Sequence, residues 1–181
     1  MNLSNKEKDI LLKDARESIS AKLENRNPYY VQDAEKLTQN CGVFISMHTK
    51  NMHKLRGCIG RMSSKDPLYA TVRIMAIEAA FNDPRFPPLT LEELTNINLE
   101  ISVLSPMELC KNPETVEIGK HGLYLIHKGH SGVLLPQVAV EQGWSRLEYL
   151  DYICIKAGLP PLSYQSPGAE LYTFTALLFS E

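Results

Sequence analysis

Apolar residues at helical spacing predict several helices along the chain. A stripe through residues 12–23 follows Ser4 and Glu7, which have the spacing of a capping box, so a first helix is expected from about residue 5 into the low twenties. A second stripe begins at Leu68 and stops before Pro84. Capping-box spacing recurs before residues 91–94 and before a stripe that ends at Gly158, and Pro136 opens a further short helix.

Short apolar or alternating runs between these helices predict strands. Residues 43–47 and 55–59 flank a polar segment and are typical of a hairpin, as are residues 121–127 and 133–135. Residues 99–103 and 115–118 favour further strands, and residues 171–179 alternate as one last strand. Because the strands come as hairpins, the pattern indicates an α+β fold with a mainly antiparallel β-sheet flanked by several α-helices.

Length and composition favour one globular domain over residues 1–181, with 44% hydrophobic and 22% charged residues. A net charge of −2 disfavours nucleic acid as a partner, since binders of nucleic acid are usually basic. The sequence contains no apolar run of the ~18 residues that a membrane span needs. The start of the chain is polar, so we expect no secretory signal there.

The four cysteines are widely spaced, with no Cys-x-x-Cys pair. This pattern argues against a zinc ribbon and favours reduced thiols in the cytoplasm. The spacing of the histidines and cysteines indicates no metal site, and no cofactor or oligomeric state is predicted.

The most informative segment is the hexapeptide LRGCIG at residues 55–60. In an extended strand Arg56 and Cys58 share a face, and a guanidinium beside a thiol favours the reactive thiolate. Gly57 and Gly60 leave room for a ligand beside the backbone. The competing interpretation is that Cys58 is a small buried residue in a tightly packed strand.

Three further residues are candidates for the same site. A nucleophilic cysteine needs a base, and His121 is the histidine that we expect to approach Cys58. Arg85, on a stiff proline-containing loop, either binds an anionic ligand or pairs internally with Asp83, and the second interpretation is favoured. Gln137 lies in the first turn of a predicted helix, where backbone donors can bind an anion.

The hexapeptide resembles the signature of the AMMECR domain family. Five other blocks resemble the same family, in the family's order, and together they span nearly the whole chain. They are DPRFPP at 83–88, ISVLS at 101–105, IGKHGL at 118–123, LLPQVA at 134–139 and KAGLP at 156–160.

This resemblance implies an α+β fold with an antiparallel sheet, an intracellular location, and genes for a Memo-like protein and a radical-SAM protein nearby in prokaryotes. It implies no established reaction. We consider three functions. The first is a cysteine-dependent enzyme that acts on a small molecule or protein through a pocket around LRGCIG. The second is a non-catalytic binding or adaptor protein that works with Memo-like and radical-SAM partners, and the third is a nucleic-acid-associated protein.

Overall fold

A computed structural model describes residues 2–30, 34 and 37–181 of the chain. The chain divides into two compact units, Met1–Leu104 with Leu177–Glu181, and Ser105–Ala176. Each unit has its own buried hydrophobic cluster. The expectation of one domain over residues 1–181 stays a prediction.

The described residues contain five α-helices and eight strands. The helices are α1 Asn5–Leu23, α2 Leu68–Phe81, α3 Leu91–Leu94, α4 Pro136–Gln142 and α5 Arg146–Lys156. The strands are β1 Val43–Thr49, β2 Leu55–Arg61, β3 Ile97–Leu104, β4 Glu108–Leu109, β5 Gly122–His127, β6 His130–Leu134, β7 Glu170–Phe174 and β8 Ala176–Ser180. The three predicted capping boxes are confirmed at the starts of α1, α3 and α5.

The first unit is a four-stranded sheet in the order β2-β1-β3-β8, with α1 and α2 packed on it. Alternate residues of β1, Val43, Ile45 and Met47, are buried in this core together with Leu99 and Ile101 of β3. The strict alternation leaves the intervening residues of β1 and β3 on the other face of the sheet. That second face carries most of the polar side chains discussed below.

The second unit is a four-stranded sheet in the order β4-β7-β5-β6, and its described pairings are antiparallel. Leu123 and Leu125 of β5 pack with Leu150 and Ile153 of α5 and with Leu171 of β7. The α+β fold with antiparallel sheets is therefore confirmed, with two sheets rather than one.

Two strand predictions are wrong. Residues 115–118 form no strand, because Pro113–Thr115 make a turn of 3-10 helix capped by Asn112. Residues 171–179 form two strands in different sheets rather than one. The break falls at Thr175, whose backbone N–H donates to the Ser105 hydroxyl while its carbonyl accepts from the Ser105 N–H, both at 2.9 Å.

None of the helices in the described ranges is long and apolar enough to cross a bilayer.

Candidate functional site around Cys58

The hexapeptide forms most of β2, which lies at the edge of the first sheet. In the antiparallel register Cys58 is opposite Ser46, and Ser46 is opposite Glu100 on β3. These three side chains therefore stand in one row on the face away from the helices. The Ser46 hydroxyl donates a hydrogen bond of 3.1 Å to the sulfur of Cys58.

The outer edge of β2 is covered at Cys58 by the start of residues 83–93, which we call the 83–93 segment. The Cys58 N–H donates to the Asp83 carboxylate at 2.8 Å, and the Cys58 carbonyl accepts from Arg85 at 3.1 Å. Both backbone groups of Cys58 thus face outward, away from β1. The carboxylate and guanidinium occupy the place that a neighbouring strand would take.

The end of the 83–93 segment binds the same strand at Arg56. Arg56 donates from Nε and Nη2 to the two oxygens of Glu93, at 2.8 and 3.0 Å, and from Nη2 to the Pro87 carbonyl at 3.0 Å. Glu93 also accepts from the backbone of Thr90, which caps α3. The motifs LRGCIG and DPRFPP therefore belong to one contact, in which the 83–93 segment runs antiparallel to β2.

Both glycines of the hexapeptide have a structural reason. A Cβ on Gly57 would lie 2.4 Å from the carbonyl oxygen of Ala79 in α2, and one on Gly60 would lie 2.2 Å from the ring of Phe44. Real Cβ contacts of that length do not occur without a shift of the neighbour, and the first neighbour is backbone. At Gly57 and Gly60, the space beside the backbone that the sequence suggested for a ligand is occupied by Ala79 and Phe44.

The environment of Cys58 keeps its thiol neutral. Burial is the largest effect and raises the pKa of Cys58 above its ordinary value, and the charges of Asp83 and Glu100 act in the same direction. The Ser46 hydrogen bond and the charge of Arg85 lower this pKa without reversing its direction. The cation that acts on the thiol is therefore Arg85, whereas the Arg56 guanidinium binds Glu93 and Pro87.

Asp83 and Arg85 form an internal ion pair of 2.7 Å. Two hydrogen bonds from the Arg85 side chain hold the pKa of Asp83 well below its usual range, against the opposing effect of burial. The Asp83 side chain is 2% exposed and that of Arg85 is 54% exposed. This geometry fits the interpretation in which Arg85 anchors its own loop.

His121 and Gln137 belong to the second unit, so their predicted role beside Cys58 stays a prediction. The Nδ1 of His121 accepts from the backbone N–H of Glu117 at 3.1 Å, and its carbonyl accepts from Tyr149. Because Nδ1 accepts this hydrogen bond, the proton of the neutral ring lies on Nε2. Gln137 lies in the first turn of α4, a helix of seven residues.

Within residues 2–30, 34 and 37–181, no three His, Cys, Asp or Glu side chains are grouped so that they could hold a metal ion.

Comparison with known proteins decides the family. The AMMECR1 family model matches residues 12–179, which include both units. The chain belongs to the AMMECR1 family. The match covers the hexapeptide, the 83–93 segment, Ser46 and Glu100. The site therefore lies wholly inside the part of the chain that matches the AMMECR1 family.

Relatives of this AMMECR1 chain are found in archaea and bacteria. Protein NEQ441 of Nanoarchaeum equitans is 41% identical over 94% of this chain and 98% of its own length. A protein of Aquifex aeolicus is 44% identical over 81% of this chain and 78% of its own length. The crystal structure of the uncharacterized protein PH0010 from Pyrococcus horikoshii is similar with a TM-score of 0.92 and 36% identity, over 99% of this chain and 93% of that one.

Sequence reasoning missed three residues of this site. Ser46 could have been found, because the register of the predicted hairpin places it opposite Cys58. Glu93 was assigned only to a helix cap, and no local pattern shows that it also binds Arg56. The third is Phe86, whose ring centre lies 5.8 Å from the Arg56 guanidinium carbon and 5.5 Å from that of Arg85.

Proposed function

We propose that this AMMECR1 protein is a binding or adaptor protein whose site is β2 together with the 83–93 segment. In this proposal Cys58 contacts the bound molecule as a neutral thiol. The single observation that carries the proposal is that Asp83, Arg85 and Glu93 bind the edge of β2 and hold it as one fixed surface. The raised pKa of Cys58 agrees with it, since a nucleophilic cysteine needs the thiolate. A small-molecule ligand and the Memo-like and radical-SAM proteins implied by the family resemblance are the proposed partners, in the cytoplasm.

The contacts of the charged residues support the same proposal. Arg56 is bound to Glu93 and Arg85 to Asp83, so both guanidinium groups hold the site's shape before anything binds. Such a pre-organised surface favours recognition, because little conformational entropy is lost on binding. Leu55 begins the hexapeptide with 38% of its surface exposed and offers an apolar contact beside the charged ones.

The test measures binding of purified Memo-like and radical-SAM proteins from the same genome by titration calorimetry. We expect Leu55→Ala to weaken binding by about tenfold, as for a contact at the centre of an interface. Cys58→Ser should change the affinity by less than about threefold, because a hydroxyl keeps the small polar contact.

Cys110→Ser is the matched control, since Cys110 is a partly exposed cysteine of the second unit. Loss of binding with Cys58→Ser but not with Cys110→Ser would show that the sulfur itself is required. Absence of micromolar binding to either partner would overturn the adaptor proposal.

The alternative proposal is a cysteine-dependent enzyme, and one observation favours it. Ser46 and Arg85 both stabilise a thiolate at Cys58, which is what a nucleophile needs. His121 would be the base in that mechanism. The two proposals differ in the ionisation of the Cys58 thiol, which is measured by the pH dependence of its alkylation by iodoacetamide.

A further inference from the structure

One buried nitrogen of the hexapeptide has no hydrogen-bond partner among residues 2–30, 34 and 37–181. The Arg56 side chain is 10% exposed, and its Nη1 is buried without an acceptor. An unpaired donor destabilises the fold when it is buried, and more so where the group is charged. Because Nε and Nη2 face Glu93, the rigid fork of the guanidinium directs Nη1 away from that carboxylate.

A second guanidinium lies on the same edge of β2. The hydrogen bonds of Arg85 within the described residues use Nε and Nη2, which bind Asp83 and the Cys58 carbonyl. Phe86 is near both cations, with its ring centre 5.8 Å from the Arg56 guanidinium carbon and 5.5 Å from that of Arg85. Two arginines thus lie near one aromatic ring, and one of them binds the Cys58 carbonyl. Within the described residues Nη1 of each makes no hydrogen bond.

The charges around these donors restrict the class of ligand. Each arginine is neutralised by its own carboxylate, Glu93 or Asp83, and Glu100 adds a negative charge near the thiol. The cluster therefore has no excess positive charge, which disfavours a phosphate dianion or a nucleic-acid backbone more strongly than a group with a single negative charge. It offers directed N–H donors, which suit a single carboxylate with two acceptor oxygens.

We infer that the site beside Cys58 binds a carboxylate-bearing small molecule, with the carboxylate accepting from Nη1 of Arg56 and of Arg85. This inference rests on the proposed function, because it names the ligand class of the same site. It assigns Arg56 a contact beyond Glu93 and the Pro87 carbonyl, and it gives the unpaired nitrogen an acceptor.

The test compares two alkylating reagents of nearly equal size at Cys58, iodoacetate and iodoacetamide, at pH 9. In both reactions the thiolate sulfur attacks the methylene carbon, the S–C bond forms, the C–I bond breaks and iodide leaves. The ratio of the two rate constants cancels the thiolate fraction and the accessibility of Cys58. We expect the ratio of iodoacetate to iodoacetamide to be about tenfold higher in the folded protein than at Cys58 of the urea-unfolded chain.

Arg56→Lys and Arg85→Lys keep the charge but remove Nη1, so each should lower the ratio towards the unfolded value. Arg16→Lys is the matched control, because Arg16 binds Glu181 with the same two nitrogens elsewhere in the first unit, and it should leave the ratio unchanged. Circular dichroism shows whether each variant is folded. If a variant is unfolded, the comparison of the wild-type ratio between the folded and the urea-unfolded chain tests the inference.

An equal ratio in the folded and unfolded chain overturns the inference. So does a raised ratio that both lysine variants retain, or a folded Cys58 that reacts with neither reagent. These outcomes are separate from the calorimetric test of the proposed function, which does not depend on the ratio.

Discussion

At the scale of single residues, Gly57 and Cys58 differ in how far the sequence could predict them. The glycine was correctly placed in a strand, but its neighbour is the backbone of Ala79, 22 positions away, which no local pattern shows. The sequence also predicted that a guanidinium would share the face of Cys58. It could not show that burial and two carboxylates raise the pKa of Cys58 by more than Arg85 lowers it, because burial depends on the whole fold.

The ionisation of Cys58 gives a prediction at this scale. Because burial raises its pKa, the thiol is protonated at neutral pH, and its rate of alkylation by iodoacetamide should rise with pH to a midpoint above the ordinary thiol value of about 8.5. The measurement is mass spectrometry of the Cys58 peptide after timed labelling between pH 6 and 10. At pH 7 the folded protein should react more slowly at Cys58 than the unfolded chain.

Ser46→Ala removes the hydrogen bond that lowers this pKa, so it should move the midpoint further upward. A midpoint below the ordinary thiol value in the wild-type protein would support the cysteine-dependent enzyme instead.

At the scale of elements, the contact between β2 and the 83–93 segment explains why two sequence motifs belong together. Both elements were predicted: the hairpin from two short apolar runs that flank a polar segment, and α3 from its capping box. Their contact was not, because it joins side chains to backbone groups across 25 residues and has no periodicity. The 83–93 segment protects an edge strand that would otherwise expose unpaired backbone groups.

Hydrogen exchange tests this protection. Asp83→Ala removes the acceptor of the Cys58 N–H, so exchange of that amide should become at least about tenfold faster. The amides of Gly57 and Ile59 should change much less, because alternate residues of β2 direct their backbone groups to β1. Amide-resolved NMR exchange provides the measurement.

Asp66→Ala is the matched control for this experiment, since Asp66 is a carboxylate 3.8 Å from Arg61 of the same strand. It should leave the Cys58 amide protected. Equal acceleration of all three β2 amides in Asp83→Ala would mean that the strand unfolds as a whole, contrary to the edge role of the segment.

At the scale of the whole molecule, the order of elements along the chain links the two units. The chain leaves the first unit after β3, forms the second unit, and returns as β8 to complete the first sheet. Ser105 and Thr175 hold the start and the end of the second unit together: the Ser105 N–H donates to the Thr175 carbonyl, and the Thr175 N–H donates to the Ser105 hydroxyl. The sequence predicted the fold class but not this insertion, because the alternation through residues 171–179 gives no sign of the break at Thr175.

This connection predicts one cooperative unfolding transition. Unfolding of the second unit separates Ser105 from Thr175 and releases β8, which removes a strand from the first sheet. The fluorescence of Trp144, the single tryptophan, reports on the second unit, whereas far-UV circular dichroism reports on both. The two urea curves should coincide, and two separated midpoints would show that the units unfold independently.

The late position of β8 also has a consequence for synthesis on the ribosome. β3 is complete when residue 104 has been translated, but its second neighbour, β8, follows only after residues 105–175. At about 5–20 residues per second this delay is about 4–14 seconds, during which the nascent chain carries an open strand edge. Such an edge pairs readily with other chains, so cellular yield should depend on chaperones that bind the emerging polypeptide.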